Sequence, residues 1–134
     1  MKFPAIGLVL AALALSGLPA TVSAETAVPP GSMSVATFLA KAEALKAKGM
    51  LAAFSSDIGL LKAEVTGSAQ AFRRQLKVEA ASGKPSACPP KRAALTSDEL
   101  LTHMQGYPVA ARSRIRVSDA VGDLFRRRFP CPAR

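Results

Sequence analysis

The chain has 134 residues, a formal net charge of +9, no tryptophan, one histidine and two cysteines. That length suits one small domain and excludes a pair of them. One histidine and one cysteine pair exclude a zinc site built on Cys-x-x-Cys, and without a Cys-x-x-Cys-His run there is no haem attachment motif.

Residues 1–24 read as a secretory signal peptide. Lys2 supplies the positive start, and residues 6–15 are apolar apart from Gly7. Gly17 and Pro19 break that run, and Val22-Ser23-Ala24 offers the small residues that signal peptidase requires. The run is too short to anchor permanently in a hydrocarbon core of about 30 Å, so no stable membrane insertion is expected. The mature chain is therefore expected to be periplasmic or secreted. An even pair of cysteines in an exported chain reads as a disulfide, here Cys88–Cys131. Closing a loop of that length stabilises by roughly 4 kcal/mol on the chain-entropy argument.

Residues 25–33 read as a flexible N-terminal tail, since Pro29-Pro30-Gly31 does not start a helix. Residues 34–134 read as a single helical domain. Ser34 is placed to cap a first helix in which Val35, Phe38, Leu39, Ala42 and Leu45 share one stripe. Lys46 and Lys48 favour the negative end of its dipole, and Gly49 suits its C-terminal turn. Residues 50–54 read as a short apolar turn that packs. Ser55 or Ser56 then caps a second helix over 57–81, with Ile58, Leu61, Val65, Ala69, Phe72 and Leu76 as its apolar stripe. Gly59 and Gly67 each weaken it by up to about 1 kcal/mol relative to alanine, which predicts a kink or break near 66–68.

The second half is more strongly specified. Thr96-Ser97-Asp98-Glu99 fits a capping box, with Leu95 and Leu100 placed as a hydrophobic staple. This third helix stops at Gly106, ahead of Tyr107-Pro108. Residues 109–117 are basic and irregular, and 112–117 is the only candidate strand. Ser118 and Asp119 begin a fourth helix that buries Ala120, Val121, Leu124 and Phe125 and ends in Arg126-Arg127-Arg128. The expected fold class is all-α, a small bundle of about four helices with one disulfide.

Cys88-Pro89, an amphipathic helix, the Tyr107-Pro108 turn, a second helix and the closing Phe129-Pro130-Cys131 resemble the Rap1a/Tai family. The resemblance covers residues 87–132. It implies a small, exported, all-α immunity protein with a disulfide, which neutralises a peptidoglycan amidase toxin delivered by type VI secretion. The implied partner is a cell-wall amidase effector, and the implied protein is not an enzyme.

The residues themselves assign no catalytic, metal or cofactor-binding position. His103 reads as a surface or packed structural residue, and both cysteines are used in the bridge, which leaves no thiol for Cys–His chemistry. Capping accounts for Asp98-Glu99. The arginine clusters at 73–74, 112–116 and 126–128 read either as solvated surface or as a cationic face for an acidic partner. Nucleic acid is disfavoured, because the aromatics are few and not interleaved with the arginines. Partner contact is expected at loops 84–95 and 106–117, with Tyr107, Arg112, Arg114 and Arg116 as candidates, because a bridge and prolines keep these loops stiff. The alternative function is a cationic envelope-associated structural protein that binds anionic lipid or wall polymer. A homodimer is left open.

Overall fold

The computed structural model describes residues 29–133; the expected leader and residues 25–28 of the tail lie outside them. Four α-helices follow in order: α1 (Val35–Lys48), α2 (Ser56–Ala81), α3 (Ser97–Gln105) and α4 (Val117–Arg128). Short 3₁₀ turns occupy Gly49–Phe54 and Val109–Ala111. Among the described residues there is no strand. The candidate at 112–117 contributes only an isolated antiparallel bridge between Ser34 and Arg116. The described residues form an all-α bundle of four helices with one disulfide.

α1 starts where Ser34 Oγ accepts the Thr37 N–H at 3.2 Å, and it buries Val35, Phe38, Leu39 and Ala42. The 3₁₀ turn after it does not pack as its apolar sequence predicts. Gly49, at φ 55°, swings the chain out of α1, and Ser55 caps α2 only six residues later. So short an excursion leaves none of its side chains buried.

α2 runs unbroken through Gly67, against the expectation of a kink at 66–68. The glycine serves a close approach instead. A Cβ there would lie 2.4 Å from Pro30 Cβ, so the chain before α1 can lie against α2 only because position 67 has no side chain. Residues 29–33, expected as part of a flexible tail, are accordingly docked. The Met33 N–H donates to Glu64 Oε1 at 2.6 Å, and the Met33 and Gly31 carbonyls accept the N–H groups of Val117 and Ser118 at 2.8 and 3.2 Å. This docking moves the buried stripe of α2. Glu64 and Ser68 are 5% and 1% exposed, whereas Val65 and Ala69 are only partly covered. Both buried polar groups are satisfied: the Glu64 carboxylate accepts the Met33 N–H, and Ser68 Oγ donates to the Glu64 backbone carbonyl at 2.7 Å. Gly67→Ala should therefore lower the melting temperature although alanine is the better helix former. Amide exchange at Met33 and Val117 should speed up with it. A raised melting temperature with unchanged exchange would show that the segment does not rest on Gly67.

α3 carries the full capping box. Thr96 Oγ1 accepts the Glu99 N–H at 3.1 Å, and Glu99 Oε2 accepts the Thr96 N–H at 2.9 Å. Leu100 and Met104 bury its inner face. The centre of the molecule is the seam between α2 and α4, where Phe72 stacks on Phe125 with ring centroids 5.5 Å apart. Phe129 extends the stack, 5.9 Å from Phe125. The Cys88–Cys131 bridge lies beside this seam, and the Cys88 N–H donates to the Phe129 carbonyl at 2.8 Å. The bridge thus ties the approach to α3 to the exit of α4.

Candidate functional site

The four nominated partner residues have different settings. Arg112 turns inward on the C-terminal turn of α3: its Nε donates to the Tyr107 carbonyl at 3.0 Å and its Nη2 to the Gln105 carbonyl at 2.6 Å. It caps carbonyls that a helix end leaves unsatisfied. Arg116 is exposed and pairs with Asp119 at 3.4 Å. Arg114 is exposed and makes no ion pair among the described residues. Tyr107 is half-buried, and its hydroxyl lies between two helices.

That hydroxyl donates to Asp123 Oδ2 at 2.9 Å, and His103 Nε2 is 3.0 Å from it. Asp123 Oδ1 in turn accepts from Arg126 Nη2 at 2.8 Å. The chain His103–Tyr107–Asp123–Arg126 braces α3 against α4. Burial, with Asp123 beside it, pushes the Tyr107 phenol up to about 12. Burial, then the charge of Arg127, pushes His103 below its ordinary 6.5. Burial opposes ionisation of Asp123, but the hydrogen bonds from Arg126 and Tyr107 outweigh it and hold the carboxyl below its usual value. The brace keeps its histidine and tyrosine neutral and its aspartate charged.

A pH dependence follows from these directions. A histidine depressed in the folded state lets the unfolded chain take the proton first, so stability falls as pH drops below about 6.5. Asp123 extends that loss into the carboxylate range. A tyrosine raised in the folded state contributes stability below about 10, and that contribution is lost as pH rises toward 12. Melting curves against pH should show both limbs. His103→Gln should flatten the slope between about pH 7 and 5, and an unchanged slope would place the acid limb elsewhere.

Sequence reasoning missed two surface features. The first is the turn between α1 and α2, where Met50, Leu51 and Phe54 are 94%, 71% and 90% exposed. The turn is held at its base. Lys41 Nζ meets Asp57 Oδ1 at 2.7 Å, Lys48 Nζ reaches Ser55 Oγ at 3.4 Å, and the Ser55 N–H donates to the Ala52 carbonyl at 2.9 Å. The hydrogen bond from Lys41 keeps the Asp57 carboxyl below its ordinary value. The signal available in the sequence was Gly49 followed by three large apolar residues before a serine cap, which is too short a stretch to return to the core.

The second is a groove of about 530 Å³ lined by α1, α2 and the start of α3. Phe38, Ala42, Leu61 and Leu100 are its buried residues, and Leu45, Ile58, Val65 and Leu95 are less covered. Lys46 and Lys62 stand on its exposed rim. No single helix of the sequence carries this signal, because the groove exists only where three segments meet.

Among the described residues no group of three His, Cys, Asp or Glu side chains is arranged to hold a metal ion, and no helix is long and apolar enough to cross a membrane. Compared with protein-family models, with curated proteins and with solved structures, the chain has no match.

Proposed function

We propose that this chain is an exported binding protein of the immunity or inhibitor type, which neutralises a partner protein by seating on it. The observation that supports this reading is the display of Met50, Leu51 and Phe54 on a turn fastened by Lys41–Asp57 and the Ser55 cap. A few large apolar side chains on a pre-ordered turn are the usual anchors of protein interfaces, and ordering before contact reduces the entropy cost of binding. The resemblance of residues 87–132 to the Rap1a/Tai family makes a peptidoglycan amidase effector in the periplasm the partner to test first. On this reading the bridged half supplies the rigid body, and the α1–α2 turn supplies the contact. Arg114, exposed and without an ion pair among the described residues, lies in one of the stiff loops and adds charge for an acidic partner.

Cells that direct such an amidase to the periplasm should survive when they co-express this chain. Phe54→Asp should abolish that protection and weaken binding by at least about thirtyfold, the size of an interface hot spot, with an unchanged melting curve. Full protection by Phe54→Asp would remove the turn from the interface, and failure of the unaltered chain to protect would remove the amidase.

A second reading, attachment to anionic lipid or wall polymer, is favoured by the exposed basic side chains Arg74, Arg114 and Arg127, which make no ion pair among the described residues. Salt separates the two. Attachment by charge should collapse between about 0.1 and 1 M salt as the Debye length falls from about 10 to 3 Å, whereas a complex anchored by Phe54 should persist.

A further inference from the structure

The groove between α1, α2 and α3 plays no part in that reading. Its long axis is apolar, yet its rim is not electrically neutral. Lys62 makes no ion pair among the described residues, and Lys46 meets only Glu43, at 3.2 Å, with both side chains 59% exposed. Apart from Glu43, the carboxylates Asp57 and Glu99 are committed elsewhere. Asp57 is tied to Lys41, and Glu99 is turned onto Thr96 and Arg128. The hydroxyls of Thr66, Thr96 and Ser97 complete the rim. An open apolar trough edged by Lys62, which has no ion pair among the described residues, and by Lys46, held only in an exposed pair with Glu43, is matched by a ligand that is apolar along its length and negative at one end. Its volume, about 530 Å³, falls within the range of roughly 300–1,000 Å³ typical of small-molecule sites.

We infer that this groove binds a single-chain amphiphile with a carboxylate head, the alkyl chain lying along Phe38, Ala42, Leu61 and Leu100 and the head meeting Lys46 and Lys62. The lysines place the charge at the solvent edge, where a carboxylate keeps part of its hydration, so no anion is buried. The apolar contact supplies affinity, and the ammonium groups orient the chain. Binding here leaves the Met50–Phe54 turn free and does not depend on which protein the turn engages.

The test is a titration of the oxidised protein with dansyl-labelled undecanoic acid, followed by displacement with unlabelled fatty acids below their micelle thresholds. One saturable site is expected. Displacement should strengthen by up to about fourfold per methylene between decanoate and dodecanoate, the signature of chain burial. Dodecanol should compete about five- to tenfold less well than dodecanoate. The Lys46→Glu, Lys62→Glu double variant should lose that preference while binding dodecanol unchanged. Val65→Trp should fill the groove and remove probe binding at an unchanged melting temperature. If that variant is less stable, the lysine pair alone decides the matter.

Absence of a saturable site, indifference to chain length, or equal binding of acid and alcohol would overturn the proposal. It would also be overturned by a dimer in sedimentation that dissociates in Val65→Trp without any probe binding, since the groove would then hold a second copy of the chain.

Discussion

Reduction of the Cys88–Cys131 bridge should lower the melting temperature by roughly 15–30 °C. The bridge spans 43 residues. Constraining a loop of that length in the unfolded chain amounts to about 4 kcal/mol. For a domain of this size each kcal/mol shifts the midpoint by about 4–8 °C. The Cys88→Ser, Cys131→Ser pair should melt like the reduced protein, and amide exchange should rise first around residues 85–95 and 129–131. Those are the segments whose backbones the bridge holds together, and the Cys88 N–H to Phe129 carbonyl bond lies between them. Equal melting with and without reductant would show that the aromatic seam alone holds the second half in place.

Phe125→Ala should cost about 3–5 kcal/mol in urea unfolding, the usual range for a large aromatic removed from a core. The ring is 1% exposed, stacks on Phe72 from α2, meets Phe129 beyond the helix end, and lies 5.7 Å under the Arg73 guanidinium. The loss should not simply add to that of the bridge. Phe129 connects the two, so with both removed the total should depart from the sum by about 0.5–3 kcal/mol. A cost below about 1 kcal/mol would mean that the two helices close over the space.

What the sequence disclosed was mainly local. The Ser34 and Ser55 caps, the Thr96–Glu99 capping box and the turn at Gly106-Tyr107-Pro108 each depend on residues a few positions apart, and each helix lies close to where those signals put it. The features that stayed hidden depend on distant segments. Glu64 lies outside the apolar stripe of α2, and it is buried because the Met33 amide, 31 residues earlier, is brought onto it. Gly67 reads as a weak point until Pro30 is laid against it. Tyr107 and Arg112 are candidates in the sequence because a bridge and prolines stiffen their loop; in the fold Asp123 and His103 meet the Tyr107 hydroxyl, and Arg112 donates to the Gln105 and Tyr107 carbonyls. The apolar composition of the exposed turn predicts packing that the fold does not make. Composition carries no information about whether a short connection has the reach to fold back.

The seating of Met33 has a consequence for the order in which the chain can fold. Its carbonyl is met by the amide of Val117, and the ring that covers Phe72 belongs to Phe125, so both partners arrive late in synthesis. A nascent chain that stops before α4 leaves the first segment with Glu64 but without the Val117 and Ser118 amides that hold its carbonyls, and leaves the inner face of α2 open to water. Closure is end to end, and such closure is slow compared with pairing between neighbours because the long intervening loop must be ordered first. A ribosome-bound chain truncated ahead of residue 117 should therefore remain protease-sensitive throughout α1 and α2, becoming resistant only when the last helix is released.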